Sequence, residues 1–202
     1  MLKELFEGHF YVTFSRSSDR LLQLDESIRE GDFSLLDAKA CCDCFNVCSD
    51  TVGGREQLRI HASGSVSIIS IEQVFDFIME EMGERCDYML DSSRAVAFVE
   101  MTCSTSGYVK DKRQKARRQL FNTLCVIMAN PVIKNHINNH ASRYVVFSWK
   151  ETFPPVTGKD AVERNMVDMT IMSDVVYSPY NELQFEFGFL LREIRYPDVL
   201  CV

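Results

Sequence analysis

Long apolar runs are missing from this 202-residue chain. The longest, such as those at 96–99 and 124–129, fall far short of the roughly 20 residues that a membrane helix needs, so no membrane crossing is expected. No leader is expected either. The opening MLKELFEGHF mixes acidic with apolar residues and has no basic region followed by an apolar stretch and a small-residue cleavage site. Secretion is therefore not expected, and the expected location is cytoplasmic. No low-complexity tract or clear repeat interrupts the chain, so disorder should be confined to short loops. Positive charge is in deficit: 22 Lys and Arg stand against 29 Asp and Glu, a formal net charge of −7. That balance argues against bulk attraction to nucleic acid, although a local basic patch still acts over about 8 Å at physiological salt.

What is present fits an ordinary globular protein, with 46% hydrophobic and 25% charged residues. The length is that of one domain spanning 1–202. Eight cysteines are unevenly spread. Cys41, Cys42, Cys44 and Cys48 crowd together, while Cys86, Cys103, Cys125 and Cys201 sit in apolar contexts, the usage of buried thiols in a reducing compartment. Cys41 and Cys44 make one Cys-x-x-Cys, with Cys48 and His61 as further ligands, but no second pair exists. Zinc is not expected there. Burial or redox chemistry is the plainer reading.

Periodicity places the elements. Phe10–Phe14 alternates like a strand, and Leu21–Glu30 has a helical pattern broken by Gly31 and Asp32. Gln57–His61 and Val66–Ile69 read as two short strands joined by a hairpin loop at Ala62–Gly64. Ser70 is placed to cap a helix carrying Ile71, Val74, Phe75, Ile78 and Met82, with Gly83 at its end. Asp87–Leu90 and Arg94–Cys103 read as antiparallel strands around the turn Asp91, Ser92, Ser93. A long helix follows from Val109, basic first and then apolar through Leu120, Phe121, Leu124 and Ile127. Pro131 bends or ends it. Tyr144–Trp149 is a further strand closed by Pro154 and Pro155. Met169–Val176 reads as a strand, and Phe185–Ile194 as an apolar run of helical character.

Two carboxylates stand out. Asp87 opens one strand and Glu100 interrupts the next, which is otherwise apolar, so the turn between them lets both reach one end of the sheet. Carboxylate oxygens suit Mg²⁺ or Mn²⁺, hard cations that keep water able to attack a phosphate. The competing reading is a pair of solvated carboxylates at the sheet's end. The helix after Glu100 carries Lys110, Lys112, Arg113, Lys115, Arg117 and Arg118 within nine residues. Such a run is commonly a solvated face. Here it is the one basic concentration on an acidic chain, suited to holding a phosphate backbone. His136 and His140 lie one helical turn apart, which permits a metal site but lacks the glutamate of HExxH proteases. A helix end is the simpler reading.

The order helix ISIEQVFDFIMEEM, strand CDYML, strand AVAFVEMTC, helix KDKRQKARRQLFNTL, strand YVVFSW, covering about residues 70–150, resembles the PD-(D/E)xK nuclease superfamily. The resemblance implies an α/β fold with a restriction-endonuclease-like core, a mixed central sheet flanked by helices, and N- and C-terminal extensions. It also implies metal-dependent phosphodiester hydrolysis, with Asp87, Glu100 and a helix acid, Glu72 or Glu80, holding Mg²⁺ or Mn²⁺. DNA or RNA would be the partner, and a second copy or another protein is left open. Cys86 takes the place of the family's proline, and Thr102 stands where its lysine should be. Some members draw that lysine from the following helix, where Lys115, one turn before Gln119, is preferred to Lys112. The alternative is a nuclease-like domain that binds nucleic acid or protein without cutting.

Overall fold

The computed structural model describes residues 2–14, 24–36, 47–48, 56–78, 84–104, 109–151 and 183–202. Along the chain these form α1 (Leu2–Phe14), β1 (Glu26–Leu36), β2 (Val47–Cys48), β3 (Glu56–Ser70) and α2 (Ile71–Ile78). There follow β4 (Tyr88–Ser92), β5 (Ala95–Ser104), α3 (Val109–Ile127), α4 (Pro131–Asn138) and β6 (Ser142–Glu151). The last three strands are β7 (Leu183–Gln184), β8 (Leu190–Arg195) and β9 (Val199–Cys201). The architecture is α/β, with one mixed sheet in the order β2-β1-β3-β4-β5-β6-β8-β7 and β9 beside the first half of β3.

Strands β3, β4 and β5 form an antiparallel meander, whereas β5 runs parallel to β6, in register from Ala95 opposite Ser142 to Ser104 opposite Glu151. A parallel neighbour cannot be reached by a tight turn and needs a crossover. Helices α3 and α4 supply it. Alternation of side chains along the strands then sorts the apolar residues onto two faces. Val96, Phe98, Met89 and Val145 pack with Leu2, Phe6 and Phe10 of α1, Val74 and Phe75 of α2, Leu120 and Leu124 of α3, and Ile133 and Ile137 of α4. The opposite face buries Ile60, Ile68, Tyr88, Leu90, Ala97, Val99 and Val146 with Leu200 of β9. The sheet curls over this second core. Tyr196, just before β9, lies under the Lys150 ammonium of β6 and against Arg59 of β3, tying distant strands together.

Several expectations are corrected. Phe10–Phe14 belongs to α1, because Leu2, Phe6 and Phe10 form an i, i+4 stripe that is fully buried. Glu26–Glu30 is strand rather than helix, paired with Val66–Ile69 of β3. β3 is one strand, not a hairpin. Ala62 stays in the ladder opposite Gly31 (φ 71°), and the expected loop is a bulge within β3, where residues 63–65 stand opposite Glu30 alone. The run before Ile194 is strand from Leu190, because the open edge of β6 offers it a parallel partner. Ser92 and Asp91 extend β4 instead of forming the turn. Ser92 Oγ accepts from the Arg94 and Ala95 N–H groups and tightens the two-residue connection. The cysteine cluster at 41–44, the helix end at 79–83, the prolines at 154–155 and the strand at 169–176 lie outside the described residues. Among the described residues no helix is long and apolar enough to cross a membrane.

Pro131 sits at the start of α4, where its missing N–H costs nothing, and Asn130 caps the helix. Asn130 Oδ1 accepts from Val132 and Ile133, both at 3.0 Å, while Nδ2 donates to the His9 carbonyl at 2.7 Å. One buried amide thus joins α4 to α1. Asn130→Ala should lower the unfolding free energy by about 1–3 kcal/mol, the sum of a lost cap and a lost hydrogen bond to the His9 carbonyl. Asn130→Ser keeps the cap alone and should fall between, as read by urea denaturation.

Candidate functional site

The helix-covered face carries two polar clusters at opposite ends of β4 and β5. The first is built on Asp87 and Glu100. The Asp87 N–H donates to the Val99 carbonyl at 2.9 Å, so Asp87 stands beside Glu100 just past the end of β4. Its Oδ2 accepts from the Met101 N–H at 2.7 Å, the next donor of the β5 ladder, and so continues the pairing where β4 ends. Alternation from Val96 and Phe98 turns Glu100 toward the helices, and it is buried. Helix α2 starts at the same spot, because the Ile71 N–H donates to the Asp87 carbonyl at 2.9 Å. Glu72, in its first turn, lies one turn before Asp76, which pairs with Arg85. Glu80 lies outside the described residues.

Helix α3 closes the cluster from above. Gln119 Nε2 donates to the Arg85 carbonyl at 2.8 Å, Thr123 Oγ1 donates to the Gln119 carbonyl at 2.8 Å, and the Cys86 N–H donates to Thr123 Oγ1 at 3.0 Å. This chain of bonds fastens α3 to the segment leading into Asp87. Lys115 and Lys112 are exposed, and the residue that faces the sheet is Ala116. No ion pair joins Lys115 to Asp87 or Glu100 among the described residues. Arg113 and Arg117 reach Glu193 of β8 at 2.9 and 4.0 Å, and Arg118 reaches Glu84 at 3.4 Å, so part of the basic run is answered within the chain. The side chain of Lys110 is outside the described residues. Thr102 continues β5 half-buried.

The second cluster was not legible as a site. Asp91, read as a turn residue, is the third strand position that alternates with Asp87 and Met89, and it meets both histidines of the crossover. Asp91 Oδ2 lies 2.8 Å from His136 Nε2, and Oδ1 lies 2.6 Å from His140 Nε2. These ligand atoms all lie within 4.8 Å of one another. A cavity of about 330 Å³ opens beside them, lined also by Ile28, Ser65, Ser67 and Ser93. The spacing of His136 and His140 was the only signal in the sequence. Their carboxylate comes from a strand 45 residues earlier.

Burial pushes the Cys86 thiol well above its ordinary range. The Thr123 hydrogen bond opposes the shift, and the Glu100 and Asp87 charges add to it. The folded state therefore keeps this proton at a pH where the unfolded chain has lost it. Stability should fall as pH rises above about 8.5, the ordinary thiol pKa, because only the unfolded state then gains from ionisation. Cys86→Ala should show a shallower alkaline decline in its thermal midpoint than the parent, whatever its stability at pH 7. Equal slopes would show that the Cys86 proton is not linked to folding.

Comparison of the chain with protein-family models, with curated proteins and with solved structures found no match.

Proposed function

We propose that this chain is a divalent-metal-dependent phosphodiesterase acting on nucleic acid, of the PD-(D/E)xK type, with a restriction-endonuclease-like core at 70–150. The observation that carries the reading is the placement of Asp87 and Glu100 at one end of adjacent antiparallel strands, beneath a helix that starts with a basic half. The element order α2, β4, β5, α3, β6, with β6 parallel to β5, supports it.

The donor set fits the ion. Asp87, Glu100 and Glu72 offer carboxylate oxygens, which suit Mg²⁺ or Mn²⁺ and not a thiophilic metal. When bound, such an ion supplies charge neutralisation at phosphate and a more acidic water. The chain's own groups do the rest. Asp87, held by the Met101 N–H, and Glu100, held by the strand, set the position of the negative charge. Gln119 keeps its flank of α3 over the Arg85 carbonyl, and Lys115 lies one turn before it on that flank. The Lys115 ammonium is free of the sheet and long enough to reach the phosphate side of the carboxylates. Lys110, Lys112, Arg113, Arg117 and Arg118 form the backbone-binding face.

The test uses Mg²⁺ or Mn²⁺ with single- and double-stranded DNA and RNA. Asp87→Asn keeps an oxygen for the Met101 N–H, so it removes charge without removing the ladder bond. Loss of an outer partner of a metal site typically costs 10–100-fold, so Asp87→Asn and Glu100→Gln should each cost more than about 100-fold in cleavage. Lys115→Met should do the same with binding retained, and Lys112→Met should not. Wild-type rates in Asp87→Asn would reject the assignment.

A second reading, a silent domain that binds nucleic acid without cutting, is favoured by Thr102 at the lysine position. Absence of metal-dependent cleavage on every substrate would support it. In either case replacing Lys112 and Lys115 by Gln should weaken binding and reduce the salt slope by about 1–2, since each phosphate contact contributes about 0.9. An unchanged slope would remove α3 from the interface.

A further inference from the structure

We infer that Asp91, His136 and His140 bind one divalent transition-metal ion of the zinc class, at the end of β4 remote from Asp87. This site does not depend on the nuclease reading.

The argument starts from the protons of His140. Its Nδ1 lies 3.1 Å from the His136 carbonyl oxygen, and its Nε2 lies 2.6 Å from Asp91 Oδ1 and 3.0 Å from the Ser92 carbonyl oxygen. All three partners are acceptors, and a neutral imidazole has one N–H. With that proton on Nδ1 and donated one turn back to His136, the Nε2 lone pair faces two oxygens at contact distance. A metal ion held between them turns these close approaches into ligand bonds. An N–H given to a backbone carbonyl is also how metal-bound histidines are held in orientation, with the other nitrogen presented to the ion.

His136 supplies the second, independent observation. One turn earlier on α4, its Nε2 converges on the other oxygen of the same carboxylate, 2.8 Å away, with the two rings edge to face at 5.1 Å between centroids. A single ion pair between His140 and Asp91 would not need it. Two imidazoles and one carboxylate make a three-ligand set that leaves a fourth position open, here toward the cavity lined by Ser65, Ser67 and Ser93. Bonds of 2.0–2.1 Å in a tetrahedron put donor atoms about 3.3 Å apart. The observed separations of 2.6 Å at His140 and 2.8 Å at His136 need to open by about 0.7 and 0.5 Å, the second a rotamer adjustment for His136, whose side chain is 37% exposed, and the first a small shift of the Asp91 carboxylate. Imidazole nitrogen selects Zn²⁺, Co²⁺ or Ni²⁺ over Mg²⁺, so the two clusters would not compete for one ion.

Because thiolates also bind zinc, the measurement belongs in a Cys41→Ser/Cys44→Ser background. That protein, loaded with Zn²⁺ and desalted, should hold one equivalent by elemental analysis. Its Co²⁺ form should show ligand-field bands without intense sulfur charge transfer. His136→Gln, at the more exposed ligand, should lose the equivalent while keeping the metal-free melting temperature, and Asp91→Asn should lose it as well. His140 is nearly buried and its replacement risks the fold, so it is not the deciding variant. Zinc should raise the melting temperature of the background protein and leave His136→Gln unmoved. No bound zinc in the background, an equivalent retained by His136→Gln, or displacement by excess Mg²⁺ would each overturn the site, the first leaving Asp91 as a hydrogen-bond partner of the two histidines.

Discussion

The parallel pairing of β5 with β6 sets the arrangement of everything else on the helix-covered face. Ten residues of β5, from Ala95 to Ser104, are matched by ten of β6, and the chain can achieve this only by crossing back over the sheet. The return path is α3 followed by α4. Since α3 starts where β5 ends, its basic first half lies over the Glu100 end, and α4 lies over the other end, above Asp91. The same crossover that closes the apolar core therefore positions both polar clusters. Neither could form if β6 were joined to β5 by a hairpin.

Placing charge on this face is costly, and the surrounding bonds show how the cost is contained. Glu100 is buried in a strand whose neighbours on the same side, Val96 and Phe98, are wholly apolar. The run from the Cys86 N–H through Thr123 and Gln119 to the Arg85 carbonyl satisfies polar groups that the end of β4 would otherwise leave without partners. It also fixes the height of α3 above Asp87. A cluster held this way is preorganised, because Asp87 and Glu100 are brought side by side by backbone pairing made on folding.

Charge on α3 runs against the helix dipole, whose positive end disfavours Lys and Arg in the opening turns. Glu193 on β8 and Glu84 before β4 offset part of this by pairing with Arg113, Arg117 and Arg118. These partly exposed pairs contribute little stability. Their consequence is electrostatic. The two exposed lysines, Lys112 and Lys115, are the cations of this helix for which no ion pair is seen among the described residues, so less of the basic run is uncompensated than its residue count suggests.

Local pattern was enough for the elements whose period matched their burial. The amphipathic stripe of α2, the apolar core strand β5, the helix beginning at Val109 and the strand through Tyr144–Trp149 follow from side chains that repeat at 3.6 or 2 residues. Asp87 and Glu100 could be singled out because a charge inside an apolar strand needs a reason. Pairing decided the rest. β3 is continuous because β1 pairs with it on both sides of the bulge at 63–65, and Leu190–Arg195 is strand because β6 has an edge to fill. Asp91 became a partner of His136 and His140 through the crossover alone, since residues so far apart in sequence meet only when the chain has packed. Composition and periodicity determined which segments could be buried in this protein; contacts between distant segments decided which polar residues would share a place, because convergence in space is a property of the closed sheet and not of any stretch of chain.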